Sequence, residues 1–168
     1  TTLFGEAETF FTNRERVATM AQRIVDSGIR FTWAATMRAD QGVRLPDDVW
    51  QLCKRSGLRR LLVGVESGDD VTLKRIKKDI TIDKVFSTAE RMRNLGLAGI
   101  FPFIVGFPGE SDASVDATMA CAKKLRSMSG AFETPIFYFK PYPGSAIVTE
   151  AVENGFELPS TLIPSASN

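Results

Sequence analysis

Apolar residues recur along this chain in two alternating rhythms, and the switches between them set out an α/β order. Thr1 to Phe4 reads as a short strand. Thr12-Asn-Arg-Glu15 then has the form of a capping box, in which the Thr12 hydroxyl and the Glu15 carboxylate satisfy free backbone N–H groups at a helix start. In the helix that follows, Val17, Met20, Ala21, Ile24 and Val25 share one face, and Gly28 is placed to end it in a left-handed cap. Phe31 to Met37 is a second strand. Pro46 suits the first turn of the next helix, where Val49, Leu52 and Cys53 repeat at helical spacing before Gly57 stops it.

Leu61 to Val65 is a third strand, and its nearly continuous apolar run is that of a parallel strand buried on both faces. A short helix over Val71 to Ile76 precedes Thr81, which caps a longer helix carrying Val85, Phe86, Ala89 and Met92 and ending at Gly96. Ile100 to Val105 supplies the fourth strand. Ser111 caps a helix with Val115, Met119, Ala122 and Leu125 facing inward, while Lys123, Lys124 and Arg126 suit the negative end of its dipole. Ile136 to Lys140 is a fifth strand, a last helical stretch reaches about Asn154, and the tail with Pro159 and Pro164 reads as irregular. Right-handed crossovers turn such an alternation into a curved parallel sheet. Five strands are too few for an eight-stranded barrel, so the expected fold is an open arc or incomplete barrel over residues 1–150, followed by a tail over 151–168.

A length of 168 residues suits one core or part of a larger one. The balance of 21 basic against 20 acidic residues gives no polyanion-binding character, so no nucleic-acid partner is expected. Histidine is absent, which removes serine-histidine hydrolysis and histidine-bound zinc from the chemistry open to these residues. Cys53 and Cys121 fall at apolar helix positions and read as core residues of a reducing compartment, not as ligands, so no metal site is assigned. No apolar run approaches the roughly 20 residues of a membrane span, and no signal peptide opens the chain; a cytoplasmic location is the expectation. A start at Thr1, close to a strand, suggests a piece of something longer.

Four segments join the end of an apolar run to a polar or glycine turn: Phe4-Gly-Glu-Ala-Glu8, Ala35-Thr-Met-Arg-Ala-Asp40, Gly64-Val-Glu-Ser-Gly68 and Gly106-Phe-Pro-Gly-Glu110. In a parallel sheet such ends line one rim, where ligands bind. Glu66 suits hydrogen bonds from a vicinal diol; a helix cap or rim ion pair is the other reading. Lys74, Arg75, Lys77 and Lys78 form a basic run that is either a solvated face or, through Lys78, a partner for a ligand carboxylate. Arg38 has the geometry for a carboxylate ligand, with Asp40 or Glu66 as the competing partner. Phe107-Pro108-Gly109 offers a rigid turn for a flat ring or is a plain βα turn, and Tyr142 is either a lid or a packed turn.

Taken in order, these segments resemble the catalytic core of the radical S-adenosylmethionine superfamily, in particular the branch that often carries a cobalamin-binding domain. The resemblance runs from about Thr1 to Glu150. It rests on Glu8-Thr-Phe-Phe-Thr-Asn-Arg-Glu-Arg16, Thr36-Met-Arg-Ala-Asp40, Gly64-Val-Glu-Ser-Gly68 with Ile76-Lys-Lys-Asp-Ile-Thr81, Val105-Gly-Phe-Pro-Gly-Glu110 and Pro141-Tyr-Pro-Gly-Ser145. It implies that the five strands are the second to sixth of a (β/α)6 partial barrel. The first strand is then missing, together with the Cys-x3-Cys-x2-Cys loop that holds a [4Fe-4S] cluster.

The resemblance also implies the ligand contacts. Glu8 matches a strand end near the methionyl amino group, Glu66 with Ser67 the ribose position, Lys78 the methionyl carboxylate position, and Ile104, Gly106, Phe107 and Pro108 the adenine-lining segment. Thr36 and Arg38 match the third strand end of the family. One departure is that many relatives carry two consecutive acids where this chain has Ala7-Glu8. The implied parent is an oxidoreductase or methyltransferase that cleaves S-adenosylmethionine reductively to make a 5'-deoxyadenosyl radical, acts on a small-molecule substrate, takes electrons from a flavodoxin or ferredoxin, and in this branch carries cobalamin. Two subclasses come into view, an anaerobic oxidative cyclase of magnesium-protoporphyrin IX monomethyl ester and a cobalamin-dependent methyltransferase. These residues alone, without a cluster motif, are expected to be inactive. An ordinary barrel enzyme using Glu66 and Lys78 for acid-base chemistry, or a binding module presenting rim aromatics, are the alternatives.

Overall fold

Two sets of short parallel strands, with helices packed against them, make up the protein in the computed structural model, which describes residues 2–5, 10–141, 146–153, 155 and 157. Glu8, Tyr142 and the tail over 158–168 lie outside these residues. The strands are β1 (Thr2–Gly5), β2 (Thr32–Met37), β3 (Leu58–Val63), β4 (Ala98–Ile100), β5 (Phe103–Val105), β6 (Phe132–Glu133) and β7 (Ile136–Tyr138). The helices are α1 (Arg14–Asp26), α2 (Ala39–Arg44), α3 (Asp47–Arg55), α4 (Asp70–Arg75), α5 (Ile82–Asn94), α6 (Asp112–Met128) and α7 (Ala146–Glu153). One sheet runs β1-β2-β3-β4-β6 and a second pairs β5 with β7, every pair parallel. This is the arc of an incomplete α/β barrel.

The five expected strands appear as seven segments because the fourth and fifth are each broken in two. Pro102 separates β4 from β5; lacking an N–H, it cannot continue a ladder. Pro135 interrupts the neighbouring strand in the same way, and the short β6 ahead of it has no apolar run to announce it. The backbone still crosses the break in register, with Phe101 N–H bonded to Glu133 at 2.8 Å and Phe103 N–H to Pro135 at 2.9 Å. The third strand begins earlier than its apolar run, at Leu58, and exposes Arg59 and Arg60 instead of burying both faces throughout.

Three helix details also depart from the pattern. A 3-10 turn at Phe10–Thr12 absorbs Thr12, so Asn13 caps α1 instead, its Oδ1 accepting from Arg16 N–H at 2.9 Å. Helix α2 was invisible in the sequence: it is six residues long with Gly42 inside it. That glycine lets α2 lie against α5, where a Cβ would come within 2.4 Å of Thr88. On α6 the inward face carries Ser114, Thr118, Cys121, Ala122 and Leu125, and Met119 is 49% exposed. The hydroxyls of Ser114 and Thr118 find partners inside, so they and not Met119 set the rotation of the helix. Thr81 and Ser111 cap as the sequence indicates, and Gly28 adopts a left-handed φ of 68°.

The core fills the space between sheet and helices. Trp50, Phe101, Phe103, Phe132, Leu61 and Met92 are among its largest fully buried side chains. Phe101 and Phe132 meet edge to face with centroids 5.0 Å apart. Each buried side chain of this size stabilises the fold by about 1.5–3 kcal/mol. The result holds the C-terminal ends of β2, β3 and β5 side by side. Among the described residues no helix is long and apolar enough to cross a membrane.

Candidate functional site

Beyond the end of β3 the chain does something costly. Glu66 has φ of 73°, in the left-handed region that costs a non-glycine residue about 1–2 kcal/mol. Its neighbours impose this. The N–H groups of Val65 and Glu66 both donate to the Pro102 carbonyl, at 3.3 and 3.1 Å, and Ile104 N–H donates to the Glu66 carbonyl at 2.7 Å. Two residues opposing one is the arrangement of a β-bulge, which re-aims a side chain. Here it aims Glu66 at Lys78, with Oε1 and Nζ 2.7 Å apart.

Lys78 arrives by a second backbone device. At the end of α4, Lys77 N–H bonds to the Lys74 carbonyl at 3.1 Å and Lys78 N–H to the Leu73 carbonyl at 2.9 Å, the paired bonds of a Schellman motif. Lys77 takes the left-handed position usually given to glycine, with φ of 57°. The ion pair closes over Gly64, where a Cβ would lie 3.0 Å from Glu66 Oε1 and 3.1 Å from Lys78 Nζ. Both side chains remain about a quarter exposed, at 23% and 25%. Glu66 is thus neither a helix cap nor free; it is one half of a rim ion pair with solvent access.

At the end of β2, Thr36 is half-buried in register with Leu62 of β3. Arg38 follows and is engaged by Asp40, Nε to Oδ1 at 3.0 Å, so Asp40 and not Glu66 is its partner. Asp40 also pairs with Arg44.

After β5 the chain turns through Gly106, at φ of 82°. Glu110 organises this turn. Its Oε2 accepts from the N–H groups of Gly106 and Phe107, at 2.7 and 3.2 Å, and its Oε1 accepts from the Ser114 hydroxyl at 3.0 Å. Phe107 is buried and packs on Phe139 with centroids 5.2 Å apart. The Pro108 carbonyl accepts from Arg75, which ties α4 to the turn. Ile104 is half-buried beside Glu66.

Ser67 is fully buried, its hydroxyl 3.3 Å from Thr118 Oγ1, and Gly68 N–H donates to the same oxygen at 2.9 Å. It anchors the turn to α6. Asp69 caps α4, with Thr72 N–H at 2.9 Å and Thr72 Oγ1 at 2.8 Å from its Oδ2. Burial alone would raise the Asp69 carboxyl. The Thr72 hydroxyl, the Thr72 and Val71 N–H groups and the Ser114 hydroxyl outweigh it and hold the group below its ordinary value. Thr72, Ser114, Thr118 and the clamp made by Glu110 went unnoticed in the sequence, where serine and threonine on an amphipathic helix carry no distinguishing pattern.

The structure thus brings together Glu66 beyond β3, Lys78 beyond α4, Ile104 in β5 and Gly106 and Phe107 on the turn after it, with Thr36 and Arg38 one strand away. Cys53 and Cys121 belong to the core: burial pushes the first thiol up to about 12, and burial raises the second to about 11 against the pull of Lys124 and with the push of Asp70. Among the described residues no three His, Cys, Asp or Glu side chains group to hold a metal ion. A concavity of about 640 Å³ opens at the opposite end of the sheet, beside Arg30, Arg55 and Arg59. It lies where α1 and α3 end, and Arg59 there donates to the Lys54 carbonyl at 3.0 Å, so helix C-termini account for the basic side chains. The strand-end rim is the better candidate because strained backbone and convergent polar groups coincide there.

This chain is similar to known proteins in sequence and in fold. The family model described as Radical SAM superfamily matches residues 2–122. An uncharacterized methyltransferase of Pyrococcus horikoshii is 29% identical over 151 residues, which is 90% of this chain and 31% of that protein. A tRNA-2-methylthio-N(6)-dimethylallyladenosine synthase of Anaeromyxobacter sp. is 37% identical over 82 residues, 47% of this chain and 17% of its own length. Among solved structures, the radical S-adenosylmethionine methyltransferase TsrM of Kitasatospora setae, with cobalamin and a [4Fe-4S] cluster bound, superposes with a TM-score of 0.70 at 15% identity, over 90% of this chain and 28% of that one. That likeness shows the fold. The chain therefore spans about a third or less of the length of these relatives.

Proposed function

Because the chain belongs to the radical SAM superfamily, we propose that its strand-end rim is the S-adenosylmethionine cradle of a larger enzyme that transfers methyl groups with the help of cobalamin. The observation that carries the cradle is the Glu66–Lys78 pair, held at 2.7 Å by two strained backbone positions over a glycine. Such strain is retained where geometry serves a ligand.

The residues fit the cofactor's chemistry. Ribose hydroxyls donate to the Glu66 carboxylate. The methionyl carboxylate replaces Glu66 as a partner of Lys78, so one ion pair opens into two ligand contacts, with the solvent-accessible Glu66 carboxylate then held by neutral hydroxyl donors. Adenine lies against Ile104 and the Gly106–Pro108 turn, and Ser67 holds the ribose-side turn in place from beneath. Thr36 and Arg38 line the amino-acid end, with Glu8 assigned to the methionyl amino group.

Bound beside a reduced [4Fe-4S] cluster, S-adenosylmethionine supplies a radical initiator. These residues provide no ligands for the cluster: the two thiols are buried on separate helices and held protonated. Residues 1–168 alone are therefore expected to bind the cofactor without cleaving it. The cluster, and the docking surface for a low-potential donor of the flavodoxin or ferredoxin kind, are assigned to the rest of the parent. Methyl transfer is preferred because the methyltransferase relative matches 90% of this chain and the methylthiotransferase relative 47%. The tetrapyrrole-ester cyclase reading draws no support from the relatives named above.

Equilibrium dialysis with labelled S-adenosylmethionine tests the cradle. Saturable binding that weakens at least tenfold in Lys78→Met supports it. Binding indifferent to both Lys78→Met and Glu66→Gln would sink it.

A further inference from the structure

The polar side chains between the two turns form one unbroken line. Asp69 Oδ2, Thr72 Oγ1, Ser114 Oγ and Glu110 Oε1 succeed each other at 2.8, 2.9 and 3.0 Å, and Glu110 Oε2 continues to the Gly106 and Phe107 N–H groups. Thr72 and Ser114 are 6% and 7% exposed, so water does little to complete the set. The line joins the turn that carries Glu66 to the turn that carries Gly106.

The proton count along it is short. An ionised carboxylate only accepts, and each hydroxyl has one proton to give. Three oxygen contacts of 3.0 Å or less therefore share two protons, and Asp69, which the Ser114 hydroxyl also helps to stabilise, is a further claimant on the Ser114 proton. When Thr72 donates to Asp69 and Ser114 donates to Glu110, the contact of 2.9 Å between the two hydroxyls has no proton in it. Either hydroxyl can serve its neighbour only by deserting its carboxylate. Asp69 can spare its hydroxyl, because it also accepts from the Val71 and Thr72 N–H groups at 3.3 and 2.9 Å. Glu110 Oε1 has Ser114 as its one partner among the described residues.

We propose that Ser114 is a positioning residue for the adenine turn, acting through Glu110, and that Thr72 competes with Glu110 for its proton. The inference rests on the cofactor reading above for its ligand, though not for its geometry. Ser114 fixes the rotation of the Glu110 carboxylate, and that carboxylate fixes the two N–H groups that shape the turn.

The competition makes the two hydroxyls unequal, which a mere packing role would not. Ser114→Ala leaves Glu110 Oε1 without its donor. Thr72→Val keeps the shape and removes one competitor for the Ser114 proton, while Asp69 keeps the Val71 and Thr72 N–H groups as donors and so leaves that proton to Glu110.

The test uses the complete polypeptide that carries this chain. Amide hydrogen exchange at Gly106 and Phe107, measured without ligand, should speed up about three- to tenfold in Ser114→Ala and stay within about twofold of the parent in Thr72→Val. Affinity for S-adenosylhomocysteine should fall by a similar factor in the first variant alone, and Ser114→Ala should add nothing to Glu110→Ala. Equal effects of the two hydroxyl deletions, or additivity with Glu110→Ala, would overturn the proposal. If the parent protein binds no S-adenosylhomocysteine while the exchange pattern holds, the cofactor reading fails and the positioning of the turn stands.

Discussion

Lys78 Nζ sits 2.7 Å from Glu66 Oε1 directly over the hydrogen face of Gly64. The pair is a quarter exposed, so its net contribution to stability is small, about 1 kcal/mol or less. Glu66→Gln and Lys78→Met should therefore shift the urea midpoint little while weakening S-adenosylmethionine binding. Gly64→Ala leaves both charges in place: its methyl would lie 3.0 and 3.1 Å from the ends of two flexible side chains, which can yield by a few tenths of an ångström, so binding should change far less than in either charge variant.

Lys77 holds a left-handed position without being glycine, at φ of 57°. Relief of about 1–2 kcal/mol of strain in Lys77→Gly is partly offset by the roughly 0.5–1 kcal/mol that glycine loses in chain entropy. A net stabilisation of up to about 1.5 kcal/mol is expected in chemical unfolding. Lys77→Val, with a branched Cβ at the same φ, should be less stable than the parent.

Asp69 gives the protein an acid-sensitive helix start. Its carboxyl ionises more readily folded than unfolded, because hydrogen bonds from Thr72, Val71 and Ser114 outweigh the cost of burial. Folding is thus favoured wherever the group is ionised. The contribution is complete above the ordinary carboxyl value of about 3.9 and fades as pH falls through the depressed one. Asp69→Asn, which keeps an accepting oxygen but cannot ionise, should flatten the loss of melting temperature as pH falls below about 4. Asp69→Ala should cost about 1 kcal/mol at neutral pH.

The thiols provide a simple check on the core. With Cys53 pushed up to about 12 and Cys121 to about 11, neither forms thiolate at pH 8 to any useful extent (a pH roughly matching a free thiol's). A disulfide-exchange reagent should find no reactive thiol in the folded protein and both once denaturant is added. Rapid reaction of either in native buffer would place it outside the core.

Gly68 lies against α6 so closely that a Cβ would meet Thr118 Cα at 2.5 Å and the Ala117 carbonyl at 2.6 Å. Both are backbone atoms, which cannot swing aside. Gly68→Ala should destabilise by about 1–3 kcal/mol and move the Glu66 turn with it. Unchanged stability would mean that α6 shifts freely, contrary to its buried hydroxyl contacts.

The order of strands and helices was legible because burial on a parallel sheet leaves a coarse apolar signature. Breaks within strands were not: Pro102 and Pro135 stand in plain view, yet only the neighbouring strands show that the chain carries on past them in register. Glu66 and Lys78 were picked out singly, but the backbone that joins them, left-handed at both Glu66 and Lys77, has no signature in residues that usually avoid it. The face of α6 was misjudged for a related reason. Periodicity ranks Met119 above Ser114, and the partner that makes a serine worth burying, Thr72, comes from another part of the chain.

The bond from Pro102 to Glu66 sets an order of events as well as a shape. As the chain leaves the ribosome, Glu66 emerges long before the carbonyl that will bend it, and until β5 is made nothing holds it left-handed. On the function proposed above, the ribose side of the cradle is then the late product of synthesis, completed by the same strand that carries Ile104. A nascent chain stopped ahead of Pro102 would carry both Glu66 and Lys78 without the carbonyl that bends Glu66 toward its partner.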